Sequence, residues 1–559
     1  MSKLIPIGIS DFKRLIEGNY YFVDKSLLIK EFIENSADII LIPRPRRFGK
    51  TLNMSMMKYF FDSSEENNHL FKDLKIYQDE EVMKFNQKHP VVFISFKGIK
   101  YDSMEDALKA FGALFSDVYK EYIYLLDGNT MLEIEKKQFN KILNQEGDIV
   151  LLSSAISNLM MYLNKYHNEK AILLIDEYDV PIQEGYIKGY YYKIISFERN
   201  MLSEALKDNN NLEKAILTGI LRVAKESIFS GLNNLKVALL TGFEFSDKFG
   251  FTEKEVNELL KCYKLEDEFT NIKDWYNGYI FGDTISYNPW SVLNYLDNPK
   301  EGLKAHWINT SANDLIKGLL SKGNEEVKKD LETLISGGEI KKIINDNIVM
   351  TEIEDSSENL WSFLLYTGYL KASNKENIDG DLVCDLKIPN KEVYSFYRNI
   401  IRKWFSESIS NTKYNAMLDA LITGDIKTFE YILKEFVINS ISYFDVAGKE
   451  PEKVYHAFVL GLLLSLSNSY YVKSNKESGY GRYDVMLIPK DNSKLGVIIE
   501  FKKISDFSND TLEDSTEEAL KQIKDMKYRT ELEEKHINNI LELAIVFKGK
   551  EVKVTKNSK

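Results

Sequence analysis

An aliphatic run, Asp38-Ile-Ile-Leu-Ile-Pro43, leads through Arg44-Pro-Arg-Arg-Phe into Gly49-Lys50-Thr51-Leu52 and then a helical pattern over residues 53–61. A buried strand, a short loop and a helix opening on Gly-Lys-Thr form a geometry in which backbone N–H groups and a helix N-terminus converge on phosphate. The run commits this part of the chain to an α/β layer, because a strand that is apolar throughout must be covered on both faces. In that setting Lys50 reaches the β and γ oxygens of a nucleoside triphosphate and the Thr51 hydroxyl helps to hold Mg2+. The pattern departs from GxxxxGK[ST] at its first position, where Arg44 replaces glycine.

A second aliphatic run, Ala171-Ile-Leu-Leu-Ile, ends in Asp176-Glu177-Tyr178-Asp179. Acids that end a buried strand often only cap the next helix, but downstream of Gly-Lys-Thr they have another use. Asp176 orients Mg2+ through water, and Glu177 polarises the attacking water. Between the two motifs Val91-Val-Phe-Ile-Ser-Phe96 supplies another strand, as expected of the ATPase subclass with an extra strand inserted between them. Beyond them, Ala215-Ile-Leu-Thr218-Gly219 ends in a polar residue where such ATPases place a γ-phosphate sensor. Arg222 follows, a candidate for contact with phosphate or an adjacent surface, with turn capping as its equal alternative.

Near the C-terminal end, Gly479-Tyr-Gly-Arg-Tyr-Asp484-Val-Met-Leu-Ile-Pro489 is followed after a short gap by Val497-Ile-Ile-Glu500-Phe-Lys502-Lys503. Each run has strand length and carries one carboxylate. Alternate strand residues share a face, so Glu500 and Lys502 point the same way. If the strands pair as a hairpin, Asp484 comes beside Glu500. Two converging carboxylates suit Mg2+ or Mn2+, and a neighbouring ammonium steadies an attacking water or the charge developing on phosphorus. The flanking pattern is an apolar helical run at 452–466, a strand near 470–473, an amphipathic helix at 517–528 and a buried strand at 543–547.

That order of elements resembles the PD-(D/E)XK nuclease superfamily. The resemblance covers residues 441–559 and aligns Asp484, Glu500 and Lys502 with the superfamily's metal-binding acids and catalytic lysine. Tyr483-Asp484 stands where the family has Pro-Asp. Glu452 is the candidate for a helix-borne metal-binding acid, and Glu477 and Gln522 form a second tier that solvated surface positions would explain equally well. A wider resemblance spans nearly the whole chain. Pro6-Ile-Gly-Ile-Ser-Asp-Phe12, Tyr20-Tyr-Phe-Val-Asp24-Lys25-Ser26, the Arg44–Thr51 loop, Leu173-Leu-Ile-Asp-Glu-Tyr-Asp179, Thr218-Gly-Ile-Leu-Arg222, Trp275-Tyr-Asn-Gly-Tyr279 and Tyr287-Asn-Pro-Trp290 are similar to the AAA-ATPase-like family whose members carry a C-terminal PD-(D/E)XK domain. The resemblance implies an arginine-rich loop in place of the first P-loop glycine, with arginines near the phosphates. It also implies ATP and Mg2+ held by Arg47, Gly49, Lys50, Thr51, Leu52, Asp176, Thr218 and Arg222, and Glu177 as the catalytic acid.

At 559 residues the chain is too long for one core, and about two to four domains are expected. No apolar run is long enough to cross a bilayer and the N-terminus lacks a signal-peptide core, so cytoplasmic residence without membrane contact is the expectation. Cys262 and Cys384 lie far apart and form no zinc-ligand pattern, which fits a reducing compartment. The Lys-, Ile-, Asn- and Tyr-rich, Pro-poor composition points to an AT-rich bacterial genome. A net charge of −12 opposes polyanion binding over the chain as a whole. From Ile441 onward, however, 19 Lys and Arg balance 19 Asp and Glu, so the acidic excess lies upstream of the nuclease-like region.

The expected fold class is an α/β multidomain protein. It has a P-loop ASCE-type parallel-sheet ATPase core at 1–250, a helical or winged-helix-like lid at 251–310, a helical connector at 311–440 and a restriction-endonuclease-like α/β domain at 441–559. The aromatic cluster Trp275, Tyr276, Tyr279, Phe281, Tyr287, Trp290 and Trp307 reads as core packing in the lid, ahead of base stacking. The Asp24-Lys25 segment is expected near adenine. The favoured function is an ATP-hydrolysing protein whose Mg2+- or Mn2+-dependent nuclease domain cleaves nucleic acid under nucleotide control, DNA ahead of RNA. The alternatives are a nucleotide-switched scaffold whose nuclease-like domain only binds nucleic acid or a protein, and a translocating motor. Homo-oligomerisation is left open.

Overall fold

The computed structural model describes residues 3–221, 234–307, 313–353, 356–444, 459, 461–462, 464–478, 481–504 and 510–557. They form two compact units: residues 1–311 with 341–392, and residues 312–340 with 393–559.

The first unit is built on a parallel sheet of β1 (Ile39–Pro43), β2 (Val91–Ser95), β3 (Ala171–Asp176), β4 (Leu212–Gly219) and β5 (Leu235–Val237), in the order β2-β3-β4-β1-β5. β1 and β3 are buried along their whole length, which explains their unbroken aliphatic sequence. β4 lies between them, pairing Ile42 with Thr218 on one side and Ile175 with Leu217 on the other. The strand that separates the Gly-Lys-Thr strand from the Asp-Glu strand in space is therefore β4. Val91–Ser95, the strand between the two motifs in sequence, is an edge strand whose Ser95 pairs with Asp176. Helices Met104–Glu121, Ile149–His167 and Tyr191–Leu206 present buried faces that cover the sheet, and Lys50–Phe61 follows β1 directly.

After the sheet come β6 (Phe251–Thr252), β7 (Tyr279–Phe281) and β8 (Thr284–Tyr287), an antiparallel sheet in the order β6-β8-β7, with helices Glu253–Tyr263, Phe269–Tyr276 and Pro289–Asp297. Their core gathers Val256, Leu259, Ile272, Tyr276, Tyr287 and Val292. Residues 311–440, expected to be a helical connector, also contain β9 (Ile340–Ile343), β10 (Lys371–Ile378) and β11 (Asp381–Lys387). β10 and β11 are joined at Asp379-Gly380, both at positive φ (52° and 95°), as a two-residue hairpin requires. These three strands are polar on their exposed face, so no long apolar run marks them.

The second unit carries helices Asn411–Thr423 and Ile426–Phe444 and a sheet of β12 (Tyr470–Ser478), β13 (Gly481–Pro489), β14 (Gly496–Ile504), β15 (Ile540–Lys548) and β16 (Glu551–Lys556), in chain order. Pairing is antiparallel except between β14 and β15, which are parallel. The crossover between those two contains helix Leu512–Asp525. It starts earlier than the amphipathic pattern at 517–528 because Thr511 and Asp514 form a capping box, and it ends before Lys527, whose φ is 53°. Ile523, Tyr528 and Leu532 pack with Tyr483, Met486, Ile488 and Ile498 as the core beneath β13 and β14. No helix among the described residues is long and apolar enough to cross a membrane.

One buried acid in the first unit stands apart. Glu198, on helix Tyr191–Leu206, is 0% exposed, and neither of its carboxylate oxygens has a hydrogen-bond partner. Burial, with the nearby Asp179 adding to it, holds this carboxyl well above its ordinary value of 4.5. Below that value Glu198 is neutral both folded and unfolded. As pH rises past it the unfolded chain ionises first, and folding stability falls. Glu198→Gln is therefore expected to lose less of its thermal midpoint than wild type between about pH 5 and pH 8; parallel midpoint curves for the two proteins would contradict this.

Candidate functional site

The C-terminal edge of the parallel sheet carries the first site. Pro43 ends β1, the chain crosses the Arg44–Phe48 loop, and helix Lys50–Phe61 begins at Gly49. Gly49 has φ +83°, and a Cβ added there meets nothing within 4 Å. The left-handed backbone therefore selects glycine at this point, and the space in front of the helix N-terminus is open. Arg47 adopts φ 65° without that freedom, and Glu177 adopts φ 54° just after β3.

Asp176 is 0% exposed and accepts two hydroxyl hydrogen bonds, from Thr51 to Oδ2 and from Thr218 to Oδ1, each at 2.7 Å. Ser95 Oγ lies 3.5 Å from Oδ2. Lys50 Nζ donates to the carbonyls of Arg44 (2.9 Å) and Pro45 (3.0 Å). Burial lowers the Lys50 ammonium, against the attraction of Glu177, Asp176 and Asp179. Burial raises Glu177, with Lys50 opposing it. Asp179 is a clamp for the neighbouring loop: its Oδ2 accepts from the Ile220 and Leu221 amides at 2.9 and 3.0 Å. Arg222 lies outside the described residues.

A cavity of about 480 Å³ opens on this edge. Arg46, Arg47, Gly49, Lys50, Thr51, Leu52 and Glu177 line its polar side, and Ile9, Phe22, Val23, Trp290 and Leu293 its apolar side. The volume and the mixture of apolar wall with a few fixed polar groups are those of a small-molecule site. Lys25 also lines the cavity, with its Nζ held by Glu255 Oε2 at 2.7 Å and the Asp247 carbonyl at 2.7 Å. Asp24 instead accepts from the Ser26 and Lys75 amides and serves as a turn brace.

Arg44 corrects the expectation that the loop's arginines gather at phosphate. Its side chain is 0% exposed and donates to the carbonyls of Pro43, Ala238, Glu244 and Phe245. Its guanidinium lies 5.6 and 5.3 Å from the Phe249 and Phe281 ring centroids, and burial pulls it down to about 9. Arg44 therefore pins the 238–245 loop to the end of β1, and Arg46 and Arg47 are the arginines that face the cavity. The Arg47 guanidinium sits 3.7 Å over the ring of Trp290, and Trp307 Nε1 donates to the Arg46 carbonyl at 3.1 Å. Both tryptophans belong to the cluster read as core. Trp307 is buried, but Trp290, at the start of the helix that Asn288 caps, reaches the cavity.

The second site lies where β13 and β14 pair. Val485 faces Ile499, and Asp484 Oδ2 accepts from the Phe501 amide at 2.8 Å, so the two acid-bearing strand ends lie together. Glu500 is 3% exposed, and its Oε1 accepts from the Gln522 side-chain amide. Its Oε2 is buried without a hydrogen-bond partner. Lys502 Nζ donates to Gln522 Oε1 at 2.8 Å, so one amide bridges Glu500 and Lys502 on a shared face. Burial, with the Asp484 charge adding to it and Lys502 opposing it, pushes Glu500 up to about 8. Gln522, a second-tier candidate, thus lies at the centre of the cluster. Glu452 lies outside the described residues, and so does the Glu477 side chain. Among the described residues no group of three or more His, Cys, Asp or Glu side chains converges.

Residues 6–229 match the protein family described as predicted AAA-ATPase, and residues 450–557 match the PD-(D/E)XK nuclease superfamily. The domain architecture is an AAA-ATPase-like region followed by a PD-(D/E)XK region. The chain is 24% identical over 438 residues to an uncharacterized protein in the vnfD 5′ region of Azotobacter chroococcum mcd 1, covering 78% of this chain and 77% of that protein. Among solved structures it is similar to the Aeropyrum pernix ORC2 protein in its ADPNP-ADP complexes. That similarity is 12% identity with a TM-score of 0.25, covering 70% of this chain and 98% of the other.

Arg44→Met keeps an unbranched apolar stem near Phe249 and Phe281 but removes the donors to the Ala238, Glu244 and Phe245 carbonyls. The expected loss is about 2 kcal/mol in urea unfolding, from buried carbonyls left unpaired. A variant as stable as wild type would show that Arg44 does not pin the loop.

Proposed function

We propose that the chain is an ATP-binding and ATP-hydrolysing protein whose PD-(D/E)XK domain is a metal-dependent nuclease under nucleotide control. The observation that carries the nuclease half is the cluster of Asp484, Glu500, Lys502 and Gln522, with one buried Glu500 oxygen left unpartnered and the Asp484 charge adding to the cost of ionising Glu500. That donor set fits a hard divalent cation. Asp484 and Glu500 would hold Mg2+ or Mn2+, which supplies charge to polarise the phosphodiester and lower the pKa of an attacking water. Lys502 places a positive charge where the phosphorus oxygens gain negative charge, and Gln522 fixes Lys502 and Glu500 in register. Nucleic acid is the substrate class, DNA ahead of RNA.

For the ATPase half, support comes from the open space before Gly49, the Thr51–Asp176–Thr218 hydroxyl–carboxylate set, and the cavity beside them. Thr51 and Asp176 would hold Mg2+, Lys50 would move from the loop carbonyls to the phosphate oxygens, Glu177 would polarise water, and Thr218 would sense the γ-phosphate. Leu52 and Arg47 line the phosphate end.

Purified full-length chain with Mg2+ or Mn2+ is expected to cut nucleic acid, and Glu500→Ala is expected to lose at least about a hundredfold in rate while binding ATP as wild type does. Cleavage at the wild-type rate by Glu500→Ala would overturn the nuclease assignment and favour the scaffold reading.

A further inference from the structure

The two arginines that face the cavity are each held by a different tryptophan, and both tryptophans lead to one side chain. Trp307 donates from its indole to the Arg46 carbonyl at 3.1 Å and from its backbone N–H to Glu392 Oε1 at 2.7 Å. Trp290 lies under the Arg47 guanidinium, and its neighbour Ser291 donates from Oγ to Glu392 Oε2 at 2.8 Å. Glu392 and Ser291 are both 0% exposed, and Trp307 is 4% exposed. A buried carboxylate engaged at both oxygens is a rigid fastening, because losing either donor leaves a desolvated acceptor. The fastening reaches the loop by two routes, through the main chain at Arg46 and through the Pro289–Asp297 helix at Arg47.

The contacts at Arg47 are of two kinds. A guanidinium over an indole face is attracted by the ring's quadrupole, whereas a charge-assisted, bidentate bond to phosphate is the stronger contact. The ring therefore holds the cation in reach of the cavity without competing with an anionic ligand. Arg46 acts electrostatically on the same end of the cavity: its charge lowers both Lys50 and Glu177.

We infer that Glu392 is a positioning residue for triphosphate binding: through Trp307 and the Ser291–Trp290 turn it presents Arg46 and Arg47 to the phosphate end of the cavity, and Trp290 gives up Arg47 when a nucleoside triphosphate is bound. This deepens the ATPase reading and rests on it. Glu392 lies in the first turn of helix Lys391–Ser408.

The test is ATP titration and steady-state hydrolysis by the full-length chain, with intrinsic tryptophan emission as a second readout. Glu392→Gln exchanges one acceptor oxygen for a donor and is expected to raise KM for ATP about tenfold with kcat changed less than about twofold, the split of a binding rather than a chemical defect. Ser291→Ala, a smaller change that leaves Glu392 in place, is expected to raise KM about threefold and guards against a folding defect in the first variant. ATP is expected to change the emission of wild type, and Trp290→Phe is expected to lose most of that change. Unaltered KM in both Glu392→Gln and Ser291→Ala would overturn the positioning role while leaving the ATPase reading intact. Absence of ATP binding in wild type would overturn both.

Discussion

The carboxylate of Asp176 ties three parts of the ATPase-like core together. It has no exposure to water and takes one hydroxyl from Thr51, at the start of the helix after β1, and one from Thr218, at the end of β4. A buried carboxylate left with one partner would be costly, so the pair of hydroxyls fixes where the helix N-terminus stands relative to β3 and β4. The orientation of Gly49, the reach of Lys50 and the shape of the cavity depend on that placement. In the proposed function Thr51 helps to hold Mg2+ and Thr218 senses the γ-phosphate, so a nucleotide would rearrange the interaction that orders the core.

The second unit treats its acids differently. Asp484 accepts from a strand amide, but Glu500, which accepts from Gln522 at Oε1, keeps its buried Oε2 without a hydrogen-bond partner. The cost of that arrangement appears in the raised carboxyl of Glu500, with burial first and Asp484 second among its causes. Perturbed carboxyls of this kind cluster at functional sites, although Glu198 in the first unit carries one at a position with no assigned chemistry. Gln522 limits the cost by bridging Glu500 to Lys502, and it comes from the crossover helix rather than from either strand.

Much of this was legible in the residues. β1, β3 and β4 announce themselves as aliphatic runs because both faces of a parallel sheet are covered, and β13 and β14 do so because Val485–Ile488 and Val497–Ile499 are buried. Alternation along a strand was enough to put Glu500 and Lys502 on one face. Spatial order was not legible: nothing local says that β4 rather than β2 stands between β1 and β3, since strand order is set by long crossovers. The role of Arg44 was not legible for the same reason, because the carbonyls it binds belong to a loop about two hundred positions away. Trp290 looked like its core neighbours because composition does not distinguish an indole that lines a cavity from one that fills a core. The strands β9–β11 carried too little apolar alternation to be read as strands.

In the proposed function nucleotide control joins the two sites, and the most direct measurement is the nucleic-acid cleavage rate of the full-length chain in Mg2+, with and without ATP, beside Lys50→Ala. The predicted result is a rate that changes with ATP in wild type and is indifferent to ATP in Lys50→Ala. Cleavage by wild type at one rate whether or not ATP is present would contradict the account.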